Sequence, residues 1–87
     1  MNYQFSLHAI EEMANRQIPQ EIIEQVLNNP LQVIPQNPDK QIFQSIISMK
    51  NEGIDKDYVI RVIVNIVKEP NLVVTVYRSS KISKYIL

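Results

Sequence analysis

The sequence predicts an α+β fold in which two N-terminal helices pack on a C-terminal antiparallel sheet of about four strands. Three observations predict it. Before Pro30, apolar residues recur at three- and four-residue steps, the period of a one-sided helix. From Leu31 onward β-branched residues are enriched and turn chemistry separates the runs. Two long alternating segments then flank the turn Glu69-Pro70-Asn71, which is a hairpin pattern.

Each element follows in order. Ser6 reads as the N-cap of a first helix through LHAIEEMANR, with Leu7, Ile10, Met13 and Ala14 on its apolar positions and Arg16 near its end. Pro19 fits the first turn of a second helix, where its missing N–H costs nothing, and Ile22, Ile23, Val26 and Leu27 form that helix's stripe. Asn28, Asn29 and Pro30 stop it. LQVIP is a short strand candidate, PQNPDK a turn and QIFQSIISMK a longer strand. NEGIDKD, with the only glycine, reads as a loop. In DYVIRVIVNIVK the side with Tyr58, Ile60, Val62, Val64 and Ile66 is wholly apolar and should meet the helices. In LVVTVYRSS the apolar side is Leu72, Val74 and Val76, with Val73, Thr75 and Tyr77 opposite. A register with Val67 facing Val73 sets Asn65 against Thr75, Ile63 against Tyr77 and Arg61 against Ser79. KISKYIL is expected as a final edge strand guarded by its lysines.

Composition bounds the function. Eighty-seven residues are expected to form a single domain, 1–87, near the lower limit for a self-sufficient core. The absence of cysteine removes disulfides, thiolate metal sites and a cysteine nucleophile, and makes a reducing, cytoplasmic setting the simplest expectation. Neither a signal peptide nor a stretch of roughly 18 uninterrupted apolar residues is found, so no membrane span is expected. Formal net charge is zero, against a strongly phosphate-seeking protein. Its distribution is uneven. Residues 1–30 carry four glutamates against Arg16, a net −3, and residues 72–87 carry Arg78, Lys81 and Lys84 without an acid, a net +3.

Two groups of residues could carry chemistry. His8 is the only histidine, too few for a zinc site; it shares a helix face with Glu12, itself placed for an i,i+4 pair with Arg16. The plain account is a solvated face with a weak ion-pair ladder, and the functional one is a general acid or base. Arg61 and Asn65 interrupt one apolar strand, and Thr75 and Tyr77 interrupt its partner. Such residues suit any exposed pleated face, but an arginine fork with a hydroxyl and a phenol also suits an anionic oxygen.

The stretch from Ser6 to Pro19 (SLHAIEEMANRQIP), the helix EIIEQVLNNP and the closing LVVTVY together resemble domain-of-unknown-function family 4258. That family has a histidine-alanine pair, a downstream arginine, a helix ending at Asn-Pro and a Thr-x-Tyr strand. It is similar to the RelE, ParE and BrnT-like toxins, in which two helices precede a curved antiparallel sheet in the order ααββββ. Glu12 stands where the family usually carries arginine, Gln17 where glycine is common, and Pro19 where serine or threonine caps the helix.

The resemblance implies a toxin-like, metal-independent endoribonuclease of a toxin-antitoxin type system, with no cofactor. It carries over His8, Arg16, Arg61, Thr75 and Tyr77; joined to the sheet-face reading, His8, Arg61 and Tyr77 would be catalytic, and Arg16, Asn65, Thr75 and Arg78 would bind substrate. RNA, an antitoxin or other protein, and a second copy of the chain are the partners it implies. The alternative is a non-catalytic protein-binding module that keeps the toxin-like fold, or an inhibitor of a larger protein that lacks nuclease activity.

Overall fold

A computed structural model describes residues 3–87. The chain runs β1 (Tyr3–Phe5), α1 (Leu7–Asn15), α2 (Gln20–Asn28), β2 (Gln32–Asn37), β3 (Lys40–Asn51), β4 (Ile54–Asn65), β5 (Asn71–Ser79) and α3 (Ile82–Tyr85). The class is α+β, but the sheet has five strands and is mixed, in the order β1-β5-β4-β3-β2. Strands β2 to β5 pair antiparallel, as the hairpin patterns predict, while β1 adds in parallel to β5 through Tyr3, Gln4 and Phe5. The expected four-stranded antiparallel sheet and ααββββ order are corrected accordingly. Three residues of alternation are too few to betray a strand.

Helix α1 begins as its cap residue requires. The Ala9 N–H donates to the Ser6 hydroxyl oxygen at 3.0 Å, and that hydroxyl donates to the Val74 carbonyl at 2.7 Å. A second tie runs from the Ser6 N–H to the Val73 carbonyl, so one residue fixes both the helix start and its place over strand β5. Between the helices Gln17 sits at φ 54, in the left-handed region. That explains why a glycine suits this position. Pro19 is the N-cap of α2, one position earlier than the first-turn placement expected.

The helices cover one face of the sheet. Ala9, Ile18, Ile23, Val26 and Leu27 pack with Tyr58, Ile60, Val62, Val64, Val73 and Val76 into the main core. Strand β4 presents the side the alternation predicts. Strand β5 does not, because a bulge at Val74 separates the pair Ile63–Thr75 from Val64–Val73. Val73 therefore turns into the core in place of Leu72 and Val74.

Two further expectations change. NEGIDKD is not a loop: Glu52 (φ 53) and Gly53 (φ 79) alone make the reversal, and β4 begins at Ile54. Two successive positive φ angles define a type I′ turn, whose twist matches the strands it joins. KISKYIL is not an edge strand either. Ile82, Tyr85 and Ile86, at helical spacing, turn inward while Lys81, Ser83 and Lys84 stay exposed, so the segment forms one helical turn. Not every helix is N-terminal, then, and α3 lies against the sheet face opposite α1 and α2.

Candidate functional site

On that second face the pairing of β2, β3, β4 and β5 sets Gln32, Gln44, Arg61 and Tyr77 in one row across four strands. Their side chains join end to end. Gln44 Nε2 donates to Gln32 Oε1 at 2.7 Å, Arg61 Nε donates to Gln44 Oε1 at 2.8 Å, and Arg61 Nη1 donates to the Tyr77 hydroxyl. Gln44 is fully buried, yet no buried side-chain nitrogen or oxygen among the described residues lacks a partner. A row of this kind is rigid because each member fixes the next.

The segment after β5 closes the row. The Tyr85 ring centroid lies 4.5 Å from the Arg61 guanidinium carbon, and the Tyr77 ring meets Tyr85 edge-on with centroids 6.1 Å apart. Gln44 Nε2 also donates to the Tyr85 carbonyl at 2.9 Å. Gln32 clasps the main chain of Leu87, donating to its carbonyl at 3.0 Å and accepting from its N–H at 3.2 Å. Beside Arg61, the face opens into a groove of about 480 Å³ whose walls include Lys40, Arg61, Thr75 and Tyr77 over Ile42 and Ile63. Two cations and no carboxylate line it, which suits an anion.

The predicted site residues divide. Arg61, Tyr77 and Thr75 come together, with Arg61 opposite Tyr77 rather than Ser79, and Thr75 opposite Ile63. Asn65 pairs with Leu72, and its Oδ1 accepts from the N–H groups of Val67 and Lys68 at 3.0 and 3.2 Å. It shapes the loop after β4. Arg78 pairs with Ile60 and so lies on the helix side, its guanidinium 4.8 Å from the Tyr58 ring centroid and its Nη1 3.8 Å from Met49 sulfur. His8 and Arg16 are exposed on α1 and beyond its end, with the sheet between them and Arg61. Arg16 Nε donates to Glu12 Oε2 at 2.7 Å. That hydrogen bond first, then the charges of Arg16 and His8, hold the Glu12 carboxyl below its ordinary value against some desolvation. The outer side of α1 thus carries an ion pair between Arg16 and Glu12. Tyr3, by contrast, is pushed up by burial.

Sequence reasoning missed Gln32, Lys40, Gln44 and Tyr85. The signal for Gln44 was present. Reading Glu52-Gly53 as a two-residue turn sets Asn51 opposite Ile54, and counting back along both strands sets Gln44 opposite Arg61. Among the described residues, no three His, Cys, Asp or Glu side chains cluster as a metal site would need, and no helix is long and apolar enough to cross a membrane.

A two-helix layer on one face of a mixed sheet, with a cationic groove on the other, is the class these features define. The chain belongs to the domain of unknown function family DUF4258, whose model matches residues 5–78. No curated protein and no solved structure matches it.

Proposed function

We propose that the chain is a toxin-like domain, of the kind represented by the RelE, ParE and BrnT-like toxins, that binds and cuts RNA at the groove beside Arg61. The supporting observation is the pairing of Arg61 with Tyr77 on the rim of a groove that also holds Lys40 and Thr75 and no carboxylate. Arginine and lysine at that position would bind a backbone phosphate and offset the charge that grows on it during transfer. The reaction is attack of the ribose 2′-oxygen on phosphorus with loss of the 5′-oxygen, leaving a cyclic phosphate and a free 5′-hydroxyl. Tyr77 accepts from Arg61 and keeps its own proton, so it is the group placed to protonate the departing oxygen. The proton of the 2′-hydroxyl passes to water, and Tyr77 regains from water the proton it gave to the 5′-oxygen. His8 takes no part.

A second reading rests on the same row. Arg61 is already bonded to Gln44 and Tyr77 and stacked on Tyr85, an arrangement that a non-catalytic binding module would also have. In a toxin-antitoxin arrangement, an antitoxin-like protein or a second copy of the chain would cover the groove.

Expression in bacteria, with parallel assays of purified protein on RNA, separates the two. Wild type should arrest growth and cut RNA. Arg61→Ala and Tyr77→Phe should each lose about 10²–10⁴ in cleavage rate, and His8→Ala should lose nothing. RNA that is bound but uncut moves the conclusion to the binding module. Equal growth of all strains with RNA neither bound nor cut sinks both forms of the RNA reading.

A further inference from the structure

The segment after β5 closes a site that is continuous with the groove. Arg61 and Tyr77 form one wall of the groove, and both also contact Tyr85. The Arg61 guanidinium carbon lies over the Tyr85 ring, 4.5 Å from its centroid, a place that another aromatic ring could take on an arginine. Beneath the segment, the Gln32 and Gln44 amides serve main-chain groups of the strap: the Tyr85 carbonyl, the Leu87 carbonyl and the Leu87 N–H. One N–H and two carbonyls beside an aromatic ring are also the groups that the edge of a nucleobase can present. The strap is lightly held. Helix α3 is a single turn of four residues with no side-chain cap, and Lys81, Ser83, Lys84 and Leu87 are exposed. A turn of that length has no stability of its own, and weakly packed segments are the ones that open first. It also lies outside residues 5–78, the part of the chain that matches the family.

We infer that the slot over Arg61 is a stacking subsite for one base of single-stranded RNA, and that Tyr85 fills it as an internal stand-in until the base displaces the strap. The inference rests on the RNA reading above and deepens it: phosphate lies in the groove by Lys40 and Thr75, and the adjoining base lies on Arg61 over the glutamine pair. A strap that is shut most of the time lowers apparent affinity by the fraction of time the slot is open.

The test compares binding of a labelled oligouridine strand and an abasic strand of equal length to wild type, Tyr85→Ala, Tyr85→Phe and a chain shortened after Ser80. Tyr85→Ala and the shortened chain should bind oligouridine about tenfold tighter than wild type, as expected for a slot open about a tenth of the time. Tyr85→Phe keeps the ring and should match wild type. Neither altered chain should gain affinity for the abasic strand. Equal, measurable binding of oligouridine by wild type and both altered chains overturns the strap and leaves the RNA reading standing. Weaker binding by Tyr85→Ala, or an equal gain on the abasic strand, also overturns it. Failure of every form to bind RNA overturns the strap and the RNA reading together.

Discussion

The two faces of the sheet are organised by different forces. The helix face is held by non-directional apolar contact, with Ile23, Val26, Ile60, Val62, Val64, Val73 and Val76 packed into one cluster. On the second face the buried apolar residues Ile42, Val59 and Ile63 stand outside that cluster, and a row of hydrogen bonds from Gln32 to Tyr77 runs between them. Apolar packing is lost gradually as volume is removed. A hydrogen-bonded row fails as a unit, because removing one member strands its neighbours. The first face therefore supplies stability, and the second supplies the geometry in which a charged group is kept poised.

The comparison breaks most sharply under one substitution made on both faces. Ile60→Ala, at a fully buried site under the helices, should cost about 2–5 kcal/mol, the usual loss for a buried isoleucine. Ile46→Ala, on the other face and 40% exposed, should cost less than about 1 kcal/mol. Urea unfolding of both variants checks this. Equal losses would mean that the second face carries a core of the same weight.

Next in size is the row itself. Gln44→Leu keeps the volume but removes the acceptor of Arg61 Nε and the donor to the Tyr85 carbonyl. The expected cost is about 1–3 kcal/mol, the penalty for leaving a buried polar group unpaired. Hydrogen exchange should also quicken at the Leu87 N–H, since the strap loses one of its three side-chain bonds to the sheet. An unchanged melting curve and unchanged exchange would reduce the row to surface decoration.

The same contrast explains what the sequence discloses. The helix face was legible because a stripe such as Ile22, Ile23, Val26 and Leu27, or an alternation such as Ile60, Val62 and Val64, is a local pattern with a single meaning. The second face was legible only in part. Arg61, Thr75 and Tyr77 stand out as polar breaks in apolar strands, so their shared surface was foreseen. The true opposite of Arg61 was not, because the bulge at Val74 and the two-residue turn at Glu52-Gly53 decide the register and neither has a period. Gln44 reads as an ordinary exposed strand residue until the strap that buries it is placed. The strap hides for a related reason: Lys-Ile-Ser-Lys-Tyr-Ile-Leu fits a period of two nearly as well as one of three to four. Arg78 was grouped with Arg61 as a candidate phosphate ligand for its charge, although the two-residue period that puts Thr75 and Tyr77 on one face already puts Arg78 on the other, where it pairs with Ile60.

A smaller test concerns the join between the helices. Gln17 holds a left-handed φ of 54, a conformation that costs a residue with a side chain on the order of 1 kcal/mol. Gln17→Gly should stabilise the fold by about 0.5–1 kcal/mol in thermal or urea melts. No change in binding or cleavage at the second face should accompany it. A gain in stability that also altered the groove would show the faces to be coupled.

The smallest effect is expected on the outer side of α1. Glu12 has its carboxyl pKa lowered in the fold, mainly by the hydrogen bond from Arg16. A lowered folded pKa means that the contribution is fully present above the ordinary value of 4.5 and is lost as pH falls through the folded one. Glu12→Gln should therefore be slightly less stable than wild type at neutral pH, and the difference should close in acid. Because the pair is exposed, high salt should shrink it as well. Urea melts across pH, at low and high salt, measure this directly. A difference that keeps its full size in acid and in salt would mean that Glu12 does more than pair with Arg16, and the α1 surface would then have to be searched again for a second site.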